Sequence, residues 1–340
     1  GQERPSLAPA VYLHKDCGEQ AVGFAPMRFV VGTAEAGLRL DAFLLRQKVV
    51  PSATAARRAI AERVVFVGGR PGKKGLRLGE GQVVEMAGPI QDRVVPTPAA
   101  EIPLSVLYAD DDLVVVDKPA DLPSHPLRAG EGPSLAGALV ARFPECAAAS
   151  PDPREGGLVQ RLDRGTTGVL VAARRLAVWQ GLRDALAAPD CEKTYRAEVV
   201  GRFPELGAGQ KDFVSPGVEP GTLLVAVPIG RVGRRGSRVK LGGGRQPLPA
   251  VTEVALLEQR SGSALIQTRL CKGRTHQVRA HLAYLGIPVV GDTTYGEPSP
   301  SVEPPAVLHL HAATIVFKHP TTGQLLRIEA PLPDWARPAL

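Results

Sequence analysis

A chain of 340 residues, 44% apolar and 22% charged, is long enough for about two domains, each with its own core. Those near-average shares exclude wholesale disorder, and no uninterrupted apolar run of about 18 residues marks a membrane span. Forty-one Lys and Arg against 34 Asp and Glu leave a net charge of +7, which admits a polyanionic partner without requiring one. The first residues lack the charged, apolar and small-residue succession of a secretory signal, so a cytoplasmic protein is expected. Cysteines 17, 146, 191 and 271 contain no CxxC pair, so reduced thiols are expected and neither a disulfide framework nor a zinc site.

Residues 1–28 carry scattered Pro and Gly without periodicity and read as an N-terminal arm or extension. Residues 29–88 read as a small α+β domain. Leu40, Phe43 and Leu44 fall at helical spacing, Pro51 breaks the run, and Ser52 is the predicted N-cap of a second helix through Ala56, Ile60 and Ala61. Val64–Val67 predicts a strand, Gly68-Gly69 a turn, and Val83, Val84 and Met86 a closing strand. Ten Lys and Arg against five acids give residues 29–90 a net +5, concentrated in the first third of the chain. Residues 89–103, punctuated by Pro89, Pro96, Pro98 and Pro103, read as a linker. Residues 104–340 form the second predicted domain.

Strand-like runs recur there at 105–108, 113–116, 169–172, 194–200, 264–268, 314–317 and 325–328, with helical patterns near 134–143, 176–187 and 275–285. They do not alternate regularly, which predicts an α+β fold with a mixed, largely antiparallel sheet. Between them, residues 231–245 hold Arg231, Arg234, Arg235, Arg238, Lys240 and Arg245 with five glycines and no acid. This segment reads as a basic loop, either over phosphate or simply solvated.

Two segments are dense in chemically capable side chains. In Gly157-Leu-Val-Gln-Arg-Leu-Asp-Arg-Gly-Thr-Thr-Gly168 a carboxylate, Asp163, stands between arginines just before an apolar run. A nearby cation favours an ionised carboxylate, available as base or nucleophile. The local sequence is equally compatible with a surface aspartate paired to an arginine. In Leu270-Cys-Lys-Gly-Arg-Thr-His-Gln-Val-Arg-Ala-His281, His276 and Arg279 share a helix face, whereas His276 and His281 diverge by about 140°. HExxH zinc spacing is absent, and so is a GxxxxGK[ST] phosphate loop, so neither a metal nor a nucleotide cofactor is expected.

In order and spacing these segments resemble the RluA family of pseudouridine synthases. Gln160-Arg-Leu-Asp163 with Thr166-Thr-Gly168 resembles its HRLD…TSG motif, Lys193-Thr-Tyr195 its K-x-Y element, and Gly273–His281 its GRTHQxRxH motif. Asp117-Lys-Pro119, His125-Pro126 and Gly286–Gly296 extend the likeness over about 104–332. Residues 38–86 resemble an S4 RNA-binding domain through Arg39-Leu-Asp41, the second helix, the Val-x-Val strand and Leu78-Gly-Glu-Gly81. The sequence departs from the family pattern at Gln160, where His is usual, and at Asp117 and Asp121, where Asn and Gly are familiar.

The resemblance implies an isomerase that turns uridine into pseudouridine in RNA held in a central cleft, with no cofactor and no membrane partner. It implies Asp163 as the group acting on the ribose, Tyr195 stacking on the target base or assisting loss of its C5 proton, and Arg279 pairing with Asp163. Arg161 is matched to the residue that enters the vacated base stack. Arg161, Arg164, Lys193, Arg274, His276 and Gln277, with Arg39, Arg57, Arg58, Lys73 and Lys74 of the S4-like part, are the expected RNA contacts. The expected substrate is large-subunit ribosomal RNA and the expected state a monomer. The alternatives are a transfer-RNA synthase and a non-catalytic RNA-binding assembly factor.

Overall fold

A computed structural model describes residues 26–50, 53–88, 95–127, 131–205, 211–232, 238–296 and 307–339. The predicted arm up to residue 25, the cap at Ser52, linker residues 89–94, Arg234 and Arg235 lie outside the described residues. The chain divides into two compact units between residues 92 and 93.

The first unit is a four-stranded antiparallel sheet with two helices. Strands β1 (Met27–Val30), β2 (Val65–Val67), β3 (Arg70–Pro71) and β4 (Val83–Met86) are ordered β1-β4-β2-β3. Strand β1 begins two residues inside the stretch predicted as an arm. Helices α1 (Leu40–Arg46) and α2 (Ala53–Ala61) pack Leu40, Phe43, Leu44, Ala56 and Ala59 against Val65 and Val84, all fully buried. This is the predicted three- and four-residue periodicity put to use: one apolar stripe per helix, closed over one apolar sheet face.

The second unit is built on a ten-stranded sheet. Its strands are β5 (Ser105–Ala109), β6 (Leu113–Lys118), β7 (Thr167–Ala173), β8 (Glu192–Val200), β9 (Val214–Pro216), β10 (Thr222–Val225), β14 (Thr252–Gln259), β15 (Ser263–Leu270), β16 (Leu310–Lys318) and β17 (Leu325–Glu329). Between β10 and β14, β11 (Ile229–Arg231), β12 (Val239–Leu241) and β13 (Arg245–Leu248) form a separate three-stranded sheet. The large sheet runs β5-β6-β7-β16-β8-β15-β14-β10-β9, with β17 on β16. Among the described strands only β7 and β16 pair in parallel, so the sheet is mixed and largely antiparallel, as the irregular alternation predicts.

The runs Leu113–Val116 of β6 and Val169–Ala173 of β7 are apolar without a break because both their faces are covered. Leu113, Val115, Val169 and Val171 pack with Trp179 and Leu182 of α4 (Leu176–Ala185). Val114, Val116, Leu170 and Ala172 pack on α3 (Leu135–Arg142), whose Ser134 cap accepts from Gly137 N at 3.2 Å. Helix α5 (Gln277–Leu285) covers β8, β10, β14 and β15 through Val278 and Leu282 and stops at Gly286 in the left-handed conformation.

Strand β16 is where the sheet forks. Its first half lies between β7 and β8, and its second half exchanges β7 for β17. Gly168 sits at the junction with φ +105, where a Cβ would stand 2.2 Å from the Ala312 carbonyl oxygen. Only glycine allows β7 to come this close to β16, and the loop carrying Asp163 enters the sheet at this point. Among the described residues no helix is long and apolar enough to cross a membrane.

Candidate active site

Asp163, Arg279 and Asp292 form a charged clamp. Arg279 Nη1 donates to Asp163 Oδ2 at 2.8 Å, while Nε and Nη2 donate to the two oxygens of Asp292 at 2.8 and 2.7 Å. The Asp292 side chain is fully buried, and its Oδ1 also accepts from Thr294 N and Tyr295 N at 2.8 and 3.1 Å. Burial works against both charges. For Arg279 it is outweighed by the two carboxylates, which raise the guanidinium above its ordinary value. For Asp292 it is outweighed by Arg279 and the backbone N–H donors, which hold the carboxyl low. The planar guanidinium is thus used on two edges at once, a geometry that a lysine cannot supply.

A second line of groups reaches Asp163 from the start of α5. His276 Nε2 lies 3.5 Å from Asp163 Oδ1, and its Nδ1 is 3.0 Å from the Tyr295 hydroxyl, which accepts from Val239 N at 2.9 Å. His276 sits at φ +55, a left-handed conformation costly for a side-chain-bearing residue and typical of sites where the surroundings dictate geometry. Burial pushes its pKa down, against the opposing charge of Asp163. The predicted basic loop is therefore part of a site: β11 to β13 are a sheet whose Val239 and Arg238 meet Tyr295, the Arg238 guanidinium lying 5.7 Å from the ring centre. Its glycines hid three short strands from sequence periodicity.

From below, Lys118 holds the loop of Asp163. It is wholly buried, and its Nζ donates to the carbonyls of Pro119, Leu122 and Arg164 at 2.8, 2.8 and 2.9 Å. Burial lowers its pKa to about 8, with Asp163 and Asp121 opposing. Asp121, where Gly is familiar, has φ +57, which accounts for the usual glycine; aspartate tolerates that region better than most residues. Gln160 lines the cavity described next. Asp117 is half-buried and burial pushes its carboxyl up.

The clamp opens on a cavity of about 410 Å³, lined in part by Arg161, Asp163, Tyr195, Lys272, Arg274 and His276. That lies within the roughly 300–1,000 Å³ of pockets that enclose small ligands. A recess of about 60 Å³ next to it is lined by Asp163, Thr166, Tyr195, Arg279 and Leu310. Burial, and then the charge of Asp163, push the Tyr195 phenol well up, so this partly buried side chain presents a neutral ring. Arg161 is exposed, with Nη2 3.4 Å from Thr275 Oγ1. Arg164 is exposed on the Asp121 carbonyl at 3.1 Å, and Arg274 lies 3.4 Å from the Pro249 carbonyl.

Two of the expected RNA contacts are hydrogen-bonded within the protein. Lys193 is 9% exposed and its Nζ donates to the Leu186 carbonyl at 2.9 Å and the Cys271 carbonyl at 3.4 Å. Gln277 is 2% exposed; its amide nitrogen donates to Val251 O and Thr252 Oγ1, and its oxygen accepts from Arg274 N. Both amide N–H donors of Gln277 are taken, whereas the Lys193 ammonium keeps one of its three at the cavity wall; both side chains position the loops around the cavity. In the first unit Arg57, Lys73 and Lys74 are exposed and Arg58 partly so; Arg39 is tied to Asp41 by two hydrogen bonds at 2.9 and 3.0 Å.

The sequence reading assigned no role to Lys118, Asp292 or Tyr295. A lysine closing a strand that opens with four apolar residues was the available signal for the first, and Gly291-Asp-Thr-Thr-Tyr295 after α5 for the others. Among the described residues no three His, Cys, Asp or Glu side chains gather as a metal site needs.

The sequence pattern of the RNA pseudouridylate synthase family matches residues 112–284, and that of the S4 domain residues 38–84. The chain is 36% identical over 270 residues to ribosomal large subunit pseudouridine synthase D of Xanthomonas campestris pv. campestris, covering 76% of this chain and 74% of the relative. It is 34% identical to the protein of the same name from Neisseria meningitidis, covering 88% and 77%. An uncharacterized RNA pseudouridine synthase of Mycobacterium bovis is 32% identical, covering 88% and 92%. Among solved structures, human RNA pseudouridylate synthase domain containing 1 superposes with a TM-score of 0.52 at 27% identity, covering 69% of this chain and 86% of that one.

Proposed function

We propose, from the premise that this chain belongs to the RNA pseudouridylate synthase family and isomerises uridine in RNA, that Asp163 acts on the ribose of the target and that the target lies in large-subunit ribosomal RNA. The observation carrying the assignment of Asp163 is the Arg279 bridge at 2.8 Å, which fixes a carboxylate at the mouth of a cavity instead of burying it in a surface pair. The names of the relatives support the ribosomal substrate. The S4-like unit, with its exposed cations, supplies affinity for RNA phosphate.

The reaction breaks the C1′–N1 bond, rotates the freed uracil and forms C1′–C5; the C5 proton leaves and N1 gains one. The Asp163 carboxylate serves as nucleophile at C1′ or as base at the 2′ position. Tyr195, held neutral, is the surface on which the uracil stacks during its rotation. A duplexed base cannot reach the recess, so the uridine must be extruded, and Arg161, exposed at the rim, is placed to fill its gap. A monomeric enzyme working in the cytoplasm, where its RNA substrate is found, completes this reading.

Tritium release from C5-tritiated large-subunit ribosomal RNA, with transfer RNA alongside, tests the proposal. Asp163→Asn is expected to lower release by at least about 10³-fold, and release at the wild-type rate would remove Asp163 from the chemistry. Release from transfer RNA alone would overturn the ribosomal substrate.

A further inference from the structure

Two carboxylates stand on the wall of the 410 Å³ cavity, Asp163 and Glu155, amid Arg161, Arg183, Lys193, Lys272 and Arg274. Asp163 is explained by its clamp. Glu155 has no hydrogen bond or ion pair to its carboxylate among the described residues. Its neighbour Arg154 is occupied, with Nε 3.1 and 3.0 Å from the two oxygens of Asp152. Arg183 is held over the Trp179 ring at 4.8 Å.

The backbone fixes Glu155 firmly. It ends the 3-10 turn Pro153–Glu155, and Gly156 and Gly157 follow at φ +53 and +82. A Cβ on Gly157 would lie 2.3 Å from the Ala173 carbonyl oxygen, so the chain presses against the end of β7 here. Leu158 then bridges Ala172, and Val159 N donates to Val171 O at 3.2 Å. The same segment continues through Gln160 and Arg161 to Asp163. Glu155 and Asp163 are thus two outputs of one rigid strand edge.

A carboxylate accepts hydrogen bonds and offers none. In a cleft that gathers cations for a polyanion it repels phosphate and any base edge made of carbonyl oxygens. What it holds is an N–H, and the exocyclic amines of adenine and cytosine supply one where uracil presents O4 and guanine O6. Resting on the assignment of the cavity to the flipped uridine, we propose that Glu155 reads the amino group of a base adjacent to the target, so that one flanking position discriminates against uracil.

The test uses an RNA stem–loop carrying a uridine at which the enzyme releases tritium from large-subunit ribosomal RNA, with each base flanking that uridine varied in turn and tritium release as the readout. At one flank, wild-type kcat/KM is expected to be about 10-fold lower with U than with A or C. Glu155→Gln, whose amide both donates and accepts, should reduce that ratio to below about 2-fold, mainly by improving the U-flanked RNA. A substrate-side change needs no variant: replacing a flanking adenosine by purine riboside, which lacks the amine, should cost the wild-type enzyme as much as U does. Equal rates on all flanks, or an unchanged preference in Glu155→Gln, would overturn the inference while leaving the reaction intact. A wild-type enzyme silent on every RNA would overturn the reaction assignment, and this inference with it.

Discussion

Arg279 and the cations of the S4-like unit carry the same formal charge and are used in opposite ways. Arg279 is 8% exposed and divides its guanidinium between Asp163 and Asp292, so that three donors are committed to fixed oxygens. Lys73 and Lys74 are exposed and take part in no ion pair among the described residues. The first arrangement turns charge into geometry, because a desolvated ion must be matched atom by atom. The second leaves charge mobile and solvated, which suits a phosphate backbone offering many equivalent positions. Charge density along the sequence does not separate the two, and the segment 29–90, with its net +5, holds none of the clamp.

The sharpest way to break the contrast is Arg279→Lys, which keeps the charge and removes the fork. If geometry matters, kcat/KM falls by about 100-fold, near 2.7 kcal/mol at 1.36 kcal/mol per decade. Most of the loss should appear in kcat, because Asp163 is misplaced and RNA binding is not lost. The fully buried Asp292 carboxylate also loses part of its partner, so the melting temperature should drop with it. Activity within about 3-fold of wild type would mean that the clamp acts by charge alone.

The same division appears between the two histidines of the segment Gly273–His281 and can be sharpened by pH. His276 faces Asp163, whereas His281 is wholly buried five residues on, with Nδ1 2.9 Å from Thr252 Oγ1 and Nε2 3.0 Å from the Val227 carbonyl. Burial lowers the pKa of His281 to about 4, and that of His311, 2% exposed, to about 4 as well. An imidazole whose folded pKa lies below its unfolded value of about 6.5 binds fewer protons folded than unfolded between those limits, so stability falls as the solution is acidified. The two should together cost on the order of 4 kcal/mol between pH 7 and pH 5, read from urea unfolding at each pH. That window lies above the range in which the carboxylates protonate. A flat stability from pH 7 to pH 5 would show that the folded protein accommodates these imidazolium ions.

The regular parts of the fold were legible because burial imposes a period. Leu113–Val116 and Val169–Ala172 announced strands covered on both faces, and Leu40, Phe43 and Leu44 a helix with one covered face. What escaped was what periodicity does not encode. Strands β11 to β13 are only three or four residues long and broken by glycines, and the insertion of β16 between β7 and β8 is a long-range choice that no local pattern carries. In the site, Asp163, Tyr195 and Arg279 were legible through their motifs. The carbonyl partners of Lys193 and Gln277 were not legible, because a polar residue inside a motif looks alike in sequence whether its donors face a ligand or a carbonyl. Lys118 was passed over for the same reason: its three carbonyl partners come from residues 119, 122 and 164, which only the fold assembles.

The smallest expected effect tests the solvated side of the comparison. Replacing Lys73 and Lys74 by Gln should flatten the slope of log binding constant against log salt by up to about 1.4, at roughly 0.7 per phosphate contact on single-stranded RNA. The same change should alter kcat at saturating RNA by less than about 2-fold, since neither side chain takes part in the clamp. Arg39→Gln is the internal control, because Arg39 is already held by Asp41 through two hydrogen bonds and has less charge to give to phosphate. Its slope change should be the smaller. An equal change at Arg39 would show that RNA competes Asp41 away, and an unchanged slope in Lys73→Gln/Lys74→Gln would move the RNA-binding face off this part of the unit.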